Sequence, residues 1–110
     1  MNRPRRGDVF LASISGQEVP VVVVSRNSIN DANPIVVVVP AVPKEQLEVI
    51  AYGHLVVVPQ GAIGVQGEWV FVCTNVRSLR LDQLTTSAGA LSPRLVTKID
   101  NALRTVLELN

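Results

Sequence analysis

Among the residues able to do chemistry, the sequence offers one histidine, one cysteine, nine carboxylates and ten basic groups, of which eight are Arg and only Lys44 and Lys98 are Lys. Arginine forks onto phosphates and carboxylates better than lysine does, so this bias favours anion recognition or reflects genome composition. Arg77 and Arg80 lie three apart and fit either phosphate holding or an exposed, solvating role. His54 fits a general acid or base, because imidazole titrates near neutrality, or a plain strand-end residue. Glu18 fits a base for a ribose hydroxyl, or a solvated turn residue. Further polar candidates for a binding surface are Ser15, Gln17, Ser25, Arg26, Asn27, Lys44, Thr74 and Asn75.

Other chemistries lack their residues. There is no P-loop, no dinucleotide fingerprint and no H-E-x-x-H. Cys73 has no second cysteine, which rules out an internal disulfide and a multi-cysteine metal site, and no ligands cluster at metal spacing. Cys73 sits in an apolar run and reads as a small core residue, suited to a reducing compartment. No metal or cofactor is expected. The arginines at positions 3, 5 and 6 precede no apolar h-region, and no apolar run approaches a membrane span, so a cytoplasmic protein is expected.

The elements that must position these groups are mostly strands. With 110 residues, 47% hydrophobic and 17% charged, the chain reads as one globular domain over 1–110 with an aliphatic core. Strands are expected at 9–14, 19–25, 34–40, 54–59 and 69–76. The first two form a hairpin across Gly16, and the valine blocks at 21–24 and 36–39 suit strands buried on both faces. Residues 26–33 read as a polar turn, 41–53 as a long loop with some strand character, and 60–68 as a glycine-containing loop. A helical turn is expected within 78–84 and weak extension over 85–91. The last element is a helix capped by Ser92 with Pro93 at its first position. Val96, Ile99, Leu103, Val106 and Leu107 share one face of it, and Asp100 is placed to pair with Arg104.

Taken in order, these pieces resemble the MazF/PemK toxins of bacterial toxin–antitoxin systems. Arg6-Gly7-Asp8-Val9-Phe10 is similar to that family's opening strand, and the segments PVVVVS from Pro20 and IVVVVP from Ile35 to its second and third. Asn30 falls at the family's asparagine position, Asn75-Val76-Arg77-Ser78-Leu79 resembles its Q-I-R-T-I segment, and the helix from Ser92 resembles its closing helix. The resemblance implies a mainly β, SH3-like (MazF/CcdB-type) barrel of five to seven strands with a C-terminal amphipathic helix, forming a homodimer. It implies a metal-independent endoribonuclease that cuts single-stranded RNA, the 2′-hydroxyl attacking the adjacent phosphate to leave a 2′,3′-cyclic phosphate. It also implies an antitoxin partner with a disordered acidic tail.

Two positions depart from the family pattern. Val19 stands where the family has an Arg before its PVVV motif, and Val42 where it has a Thr or Ser two residues after the third-strand proline. Those groups stabilise the phosphorane charge and assist proton transfer, and valine does neither. The expected replacements are Arg77 for charge and His54 or Glu18 for proton transfer, with Ser15, Gln17, Arg26, Lys44, Thr74, Asn75 and Arg80 contacting RNA. Two other readings stay open: a non-catalytic relative that binds RNA or antitoxin, and a gyrase poison of the CcdB type. The ending Leu107-Glu108-Leu109-Asn110, without the tryptophan of the CcdB tail, counts against the second.

Overall fold

A computed structural model describes residues 3–49 and 54–109. The chain begins with strands β1 (Asp8–Ile14) and β2 (Gln17–Val23). They form the expected hairpin: Ile14 pairs with Gln17, and Ser15 and Gly16 turn the chain with φ of 52° and 79°. Two successive left-handed residues match the twist of the flanking strands, which is why such short loops close hairpins.

Residues 26–33 are not merely a turn. They hold a six-residue helix, α1 (Asn27–Ala32), preceded by an extended Arg26 and followed by an extended Asn33. Pro34 imposes that extension on Asn33 and stops the helix. The helix closes over a polar pair that turn chemistry alone does not reveal. Asn30, fully buried, donates from Nδ2 to the Ser25 carbonyl (2.9 Å), and the Ser25 hydroxyl contacts Asn30 Oδ1 while accepting from the Val37 N–H (3.0 Å).

Strand β3 (Ile35–Pro43) is longer than the valine block suggested. One edge pairs with β2, through Val38, Val39 and Pro40. The other edge changes partner: residues from Ile35 to Val38 face β6 (Arg77–Arg80), and those from Ala41 to Pro43 face β5 (Trp69–Val72). The valines alternate between two cores as a doubly buried strand requires. Val22 and Val39 enter a core under the C-terminal helix with Phe71 and Ile99. Val21, Val23, Val36 and Val38 enter a second core with Ala12, Leu79 and Leu84.

After β3 the chain forms a 3₁₀ segment, Lys44–Val49, in place of the front of the expected loop, whose residues 50–53 lie outside the described residues. Strand β4 (Leu55–Val58) pairs with β5. The expected strand at 69–76 divides, because a turn closed by Asn75 N–H on the Val72 carbonyl (3.0 Å) separates β5 from β6. The expected helical turn is correspondingly shorter, a 3₁₀ turn at Leu81–Gln83 leading into β7 (Leu84–Ala90). The result is mainly β, a seven-stranded antiparallel sheet with the path β4-β5-β3-β2-β1-β7 and β6 beside β3. The sheet is open rather than a closed barrel. Its two end strands approach where Gly64, in the loop after β4, donates its N–H to the Ala88 carbonyl of β7 (2.8 Å).

Helix α2 (Pro93–Leu107) is capped as expected, with Ser92 Oγ accepting from Leu95 N–H at 3.3 Å. Its buried face centres on Ile99 and Ala102, with Val96 and Leu103 packed alongside, whereas Leu107 is exposed. The Asp100–Arg104 pairing does not form. Asp100 instead takes a forked contact from Arg6, and Arg104 donates to Asn101 Oδ1 (2.9 Å). Arg6 reaches Asp100 because Gly7, at φ 94°, turns the chain under the helix, where a β-carbon would sit 3.2 Å from Val96.

Replacing Ile99 by Ala should lower stability by about 3 kcal/mol, while Leu107→Ala should change it by less than about 0.5 kcal/mol. Urea unfolding of the two variants side by side measures this, and equal effects would contradict the observed helix orientation.

Candidate nucleic-acid interface

Arg77 opens β6 opposite Val38, exposed, with no side-chain hydrogen bond or ion pair among the described residues. The turn carrying Thr74 and Asn75 immediately precedes it, and both are exposed. Arg80 closes the same strand. Three residues apart on a strand means opposite faces, so the two arginines do not form one fork. Arg77 shares its face with the inward-pointing Leu79, whereas Arg80 points the other way and is held to Asp82 at 3.0 Å.

The other candidates are spread over the molecule. Ser15, Gln17 and Glu18 lie at the tip of the first hairpin, where a Glu18 carboxylate oxygen accepts from the Thr85 hydroxyl at 2.9 Å. Val23, five positions along β2 from Glu18, faces Val38 and so stands level with Arg77. At strand rise this puts Glu18 roughly 17 Å from Arg77 along the sheet. Arg26 bridges to Ser28 at the start of α1 (2.9 Å), and Lys44 is ion-paired with Glu68 (3.1 Å). His54 precedes β4 and faces α2 across an open groove of about 460 Å³ lined also by Lys98, Asn101 and Thr105. The structure thus brings Arg77 together with Thr74 and Asn75, and Glu18 with Ser15 and Gln17; Glu18 stands apart from Arg77 within one chain, whereas His54 lies opposite Cys73, the residue just before the Thr74–Asn75 turn.

The two positions of departure each lie two residues beyond the last β2–β3 pair, Val21 with Pro40. Both are half-buried; Val19 packs on the second core and Val42 pairs with Val70. A charged or hydroxyl side chain is absent from both.

Sequence reasoning missed three things. Thr85 partners Glu18 from a segment with no distinctive motif. Lys98, Asn101 and Thr105 form a polar row on α2, for which their spacing of three and four was the available signal. The arginines at the start of the chain are engaged within the fold: Arg3 donates to the Asn33 carbonyl (3.0 Å), Arg5 pairs with Asp31 (2.8 Å), and Arg6 holds Asp100 and the Val24 carbonyl.

Cys73 and His54 are neighbours through backbone alone, Cys73 N–H donating to the His54 carbonyl at 2.9 Å. The Cys73 side chain is buried in the core while His54 is exposed. Burial pushes the thiol up from 9.0 to about 11, the opposite of an activated nucleophile. Among the described residues no group of three His, Cys, Asp or Glu side chains gathers to hold a metal ion, and no helix is long and apolar enough to cross a membrane.

Residues 5–107 match the model of a family described as PemK-like, MazF-like toxins of type II toxin–antitoxin systems. The chain belongs to this family, whose members are endoribonuclease toxins. Among solved structures it is similar to a mycobacterial endoribonuclease in complex with its cognate antitoxin, at 26% identity and TM-score 0.80, covering 100% of this chain and 98% of the other. A second mycobacterial endoribonuclease gives 27% identity and TM-score 0.77 over 99% and 95% of the two chains. A MazE–MazF complex from Deinococcus radiodurans, at 18% identity, shares the fold with TM-score 0.79 over 100% of both chains.

Folded protein at pH 8 should resist alkylation of Cys73 by iodoacetamide and react only in denaturant, as mass spectrometry will show. Because the thiol is neutral in the folded state and ionises more easily when unfolded, its contribution to stability is lost as pH rises from about 9 towards 11.

Proposed function

We propose that this chain is the toxin of a toxin–antitoxin pair and acts on single-stranded RNA as a metal-independent endoribonuclease. The observation that carries this reading is Arg77. It is an exposed guanidinium with no partner among the described residues, next to the polar Thr74–Asn75 turn, in a chain similar over its whole length to endoribonucleases. In this reading the ribose 2′-oxygen attacks the adjacent phosphorus, the 5′-oxygen leaves, and a 2′,3′-cyclic phosphate remains. Arg77 forks onto the non-bridging oxygens as negative charge builds there. Thr74 and Asn75 hold the neighbouring nucleotides, and Arg26, Lys44, Arg80, Ser15 and Gln17 supply the outer contacts. Glu18 or His54 takes the 2′-hydroxyl proton.

Glu18 stands apart from the Arg77 surface within one chain, so as the base it would act from a second copy, whereas His54 borders the Thr74–Asn75 turn of the same chain. The second core supports a homodimer, since it opens to the surface at an apolar cavity of about 450 Å³ between Phe10, Leu81, Leu84 and Pro4. An antitoxin with a disordered acidic tail would cover the same basic surface and order on binding. The cytoplasm, where the RNA is met, is the site of action.

A second reading is favoured by Val19 and Val42, whose aliphatic side chains occupy the positions of the family's Arg and Thr. In it the protein binds RNA or antitoxin without cutting.

Purified protein incubated with a long RNA in EDTA, with the ends mapped, separates the two. The first reading expects cyclic-phosphate ends and a loss of about 100-fold in rate for Arg77→Ala. RNA that is bound but stays intact at high protein concentration supports the second. Intact, unbound RNA with inhibited gyrase supercoiling would overturn both.

A further inference from the structure

Strand β6, which opens with Arg77, has β3 as its one ladder partner among the described residues and pairs with Ile35 to Val38 only. The position of Arg77 is therefore set by the β3 backbone at Val38, its register partner. At this point β3 meets a β-bulge. Just beyond the end of β2, Val24 N–H and Ser25 N–H both donate to the Val37 carbonyl, at 2.9 and 3.3 Å. Two residues facing one bend the strand and re-aim the groups beside it.

Side chains hold the bulge. The Val37 N–H donates to Ser25 Oγ (3.0 Å), the Ser25 hydroxyl donates to Asn30 Oδ1, and Asn30 Nδ2 donates to the Ser25 carbonyl (2.9 Å). Ser25 and Asn30 are both buried, and no buried side-chain nitrogen or oxygen among the described residues lacks a partner. A buried network with every member bonded holds one geometry, because each alternative leaves a polar group unpaired. Helix α1 brings Asn30 to this place, which an ordinary turn from β2 to β3 would not do.

Neighbouring residues of a strand turn their N–H and C=O groups to opposite edges. Val37 directs its groups to the bulge, so Val38 directs its own to Arg77. The peptide unit joining them thus accepts from Val24 and Ser25 through its carbonyl and faces Arg77 with its N–H.

We propose that Ser25 and Asn30 are positioning residues for Arg77. They fix the Val37–Val38 peptide, and through it the backbone from which the guanidinium reaches the scissile phosphate. This role rests on the reading of Arg77 as the group that stabilises charge. It makes Ser25 a support of the site rather than a group that touches RNA.

A double-variant cycle on the full chain tests this, with RNA cleavage followed in EDTA well below the unfolding temperature of each variant. Ser25→Ala should lower kcat about tenfold and leave KM within about twofold. In the Arg77→Ala background the same substitution should cost less than about twofold, because its effect passes through the missing guanidinium. Full multiplication of the two losses would overturn the proposal and leave Ser25 a merely structural residue. Should the alanine variant not fold, Ser25→Cys, which keeps a weaker acceptor, takes its place. Amide exchange of the ¹⁵N-labelled chain needs no RNA. Protection at Val38 and Arg77 should fall at least about tenfold in the Ser25 variant, while the β4–β5 ladder stays within about twofold. Unchanged protection at Val38 and Arg77 overturns the proposal whatever the activity. If the wild-type chain leaves RNA intact, the functional reading of Arg77 fails, and the exchange pattern alone decides whether the network anchors this residue.

Discussion

The fold depends on one strand that has no free side. β3 is hydrogen-bonded along both edges and packed on both faces, so every other element is placed by reference to it. Such a strand needs aliphatic side chains in succession, and β-branched valine suits the pleated geometry at little entropic cost. A polar residue in its central stretch would enter one of the two cores unpaired. It meets partly accessible surface at its two ends, around Ile35 and Val42, and at Val37.

The change of partner along one edge of β3 creates the functional candidate. Because β6 stops at Val38 and β5 starts at Ala41, the chain must turn between them, and that turn presents Thr74 and Asn75 beside Arg77. The same division leaves the hairpin tip with Glu18 at a distance set by strand rise. Glu18 and Arg77 therefore lie apart within one chain.

Much of this was legible in the residues. The paired valine blocks, the hairpin at Gly16 and the Ser92-Pro93 helix start carry local signals strong enough to survive tertiary context. Less legible were features decided by contacts distant in sequence. Asp100 took Arg6 rather than Arg104 because Gly7 brings the arginine under the helix. Residues 26–33 became helical because Asn30 finds buried partners at Ser25. The break between β5 and β6 follows from the length of β3, which no window around Cys73 reveals. For the site, residue types were readable but their faces were not. Arg77 and Arg80 looked adjacent until β6 separated them by strand parity.

The engaged arginines have a thermodynamic consequence. Arg5, Arg6, Arg80 and Lys44 each neutralise a carboxylate of the same chain. A protein binding single-stranded nucleic acid releases condensed counterions in proportion to the phosphates it neutralises, at about 0.7 per phosphate in the slope of log affinity against log salt. Arg77 and Arg26 have no carboxylate partner among the described residues, whereas Arg80 and Lys44 are matched, so fewer counterions are released than four unpaired cations would release. Affinity for RNA would then fall less steeply with salt, hydrogen bonds and shape carrying part of it.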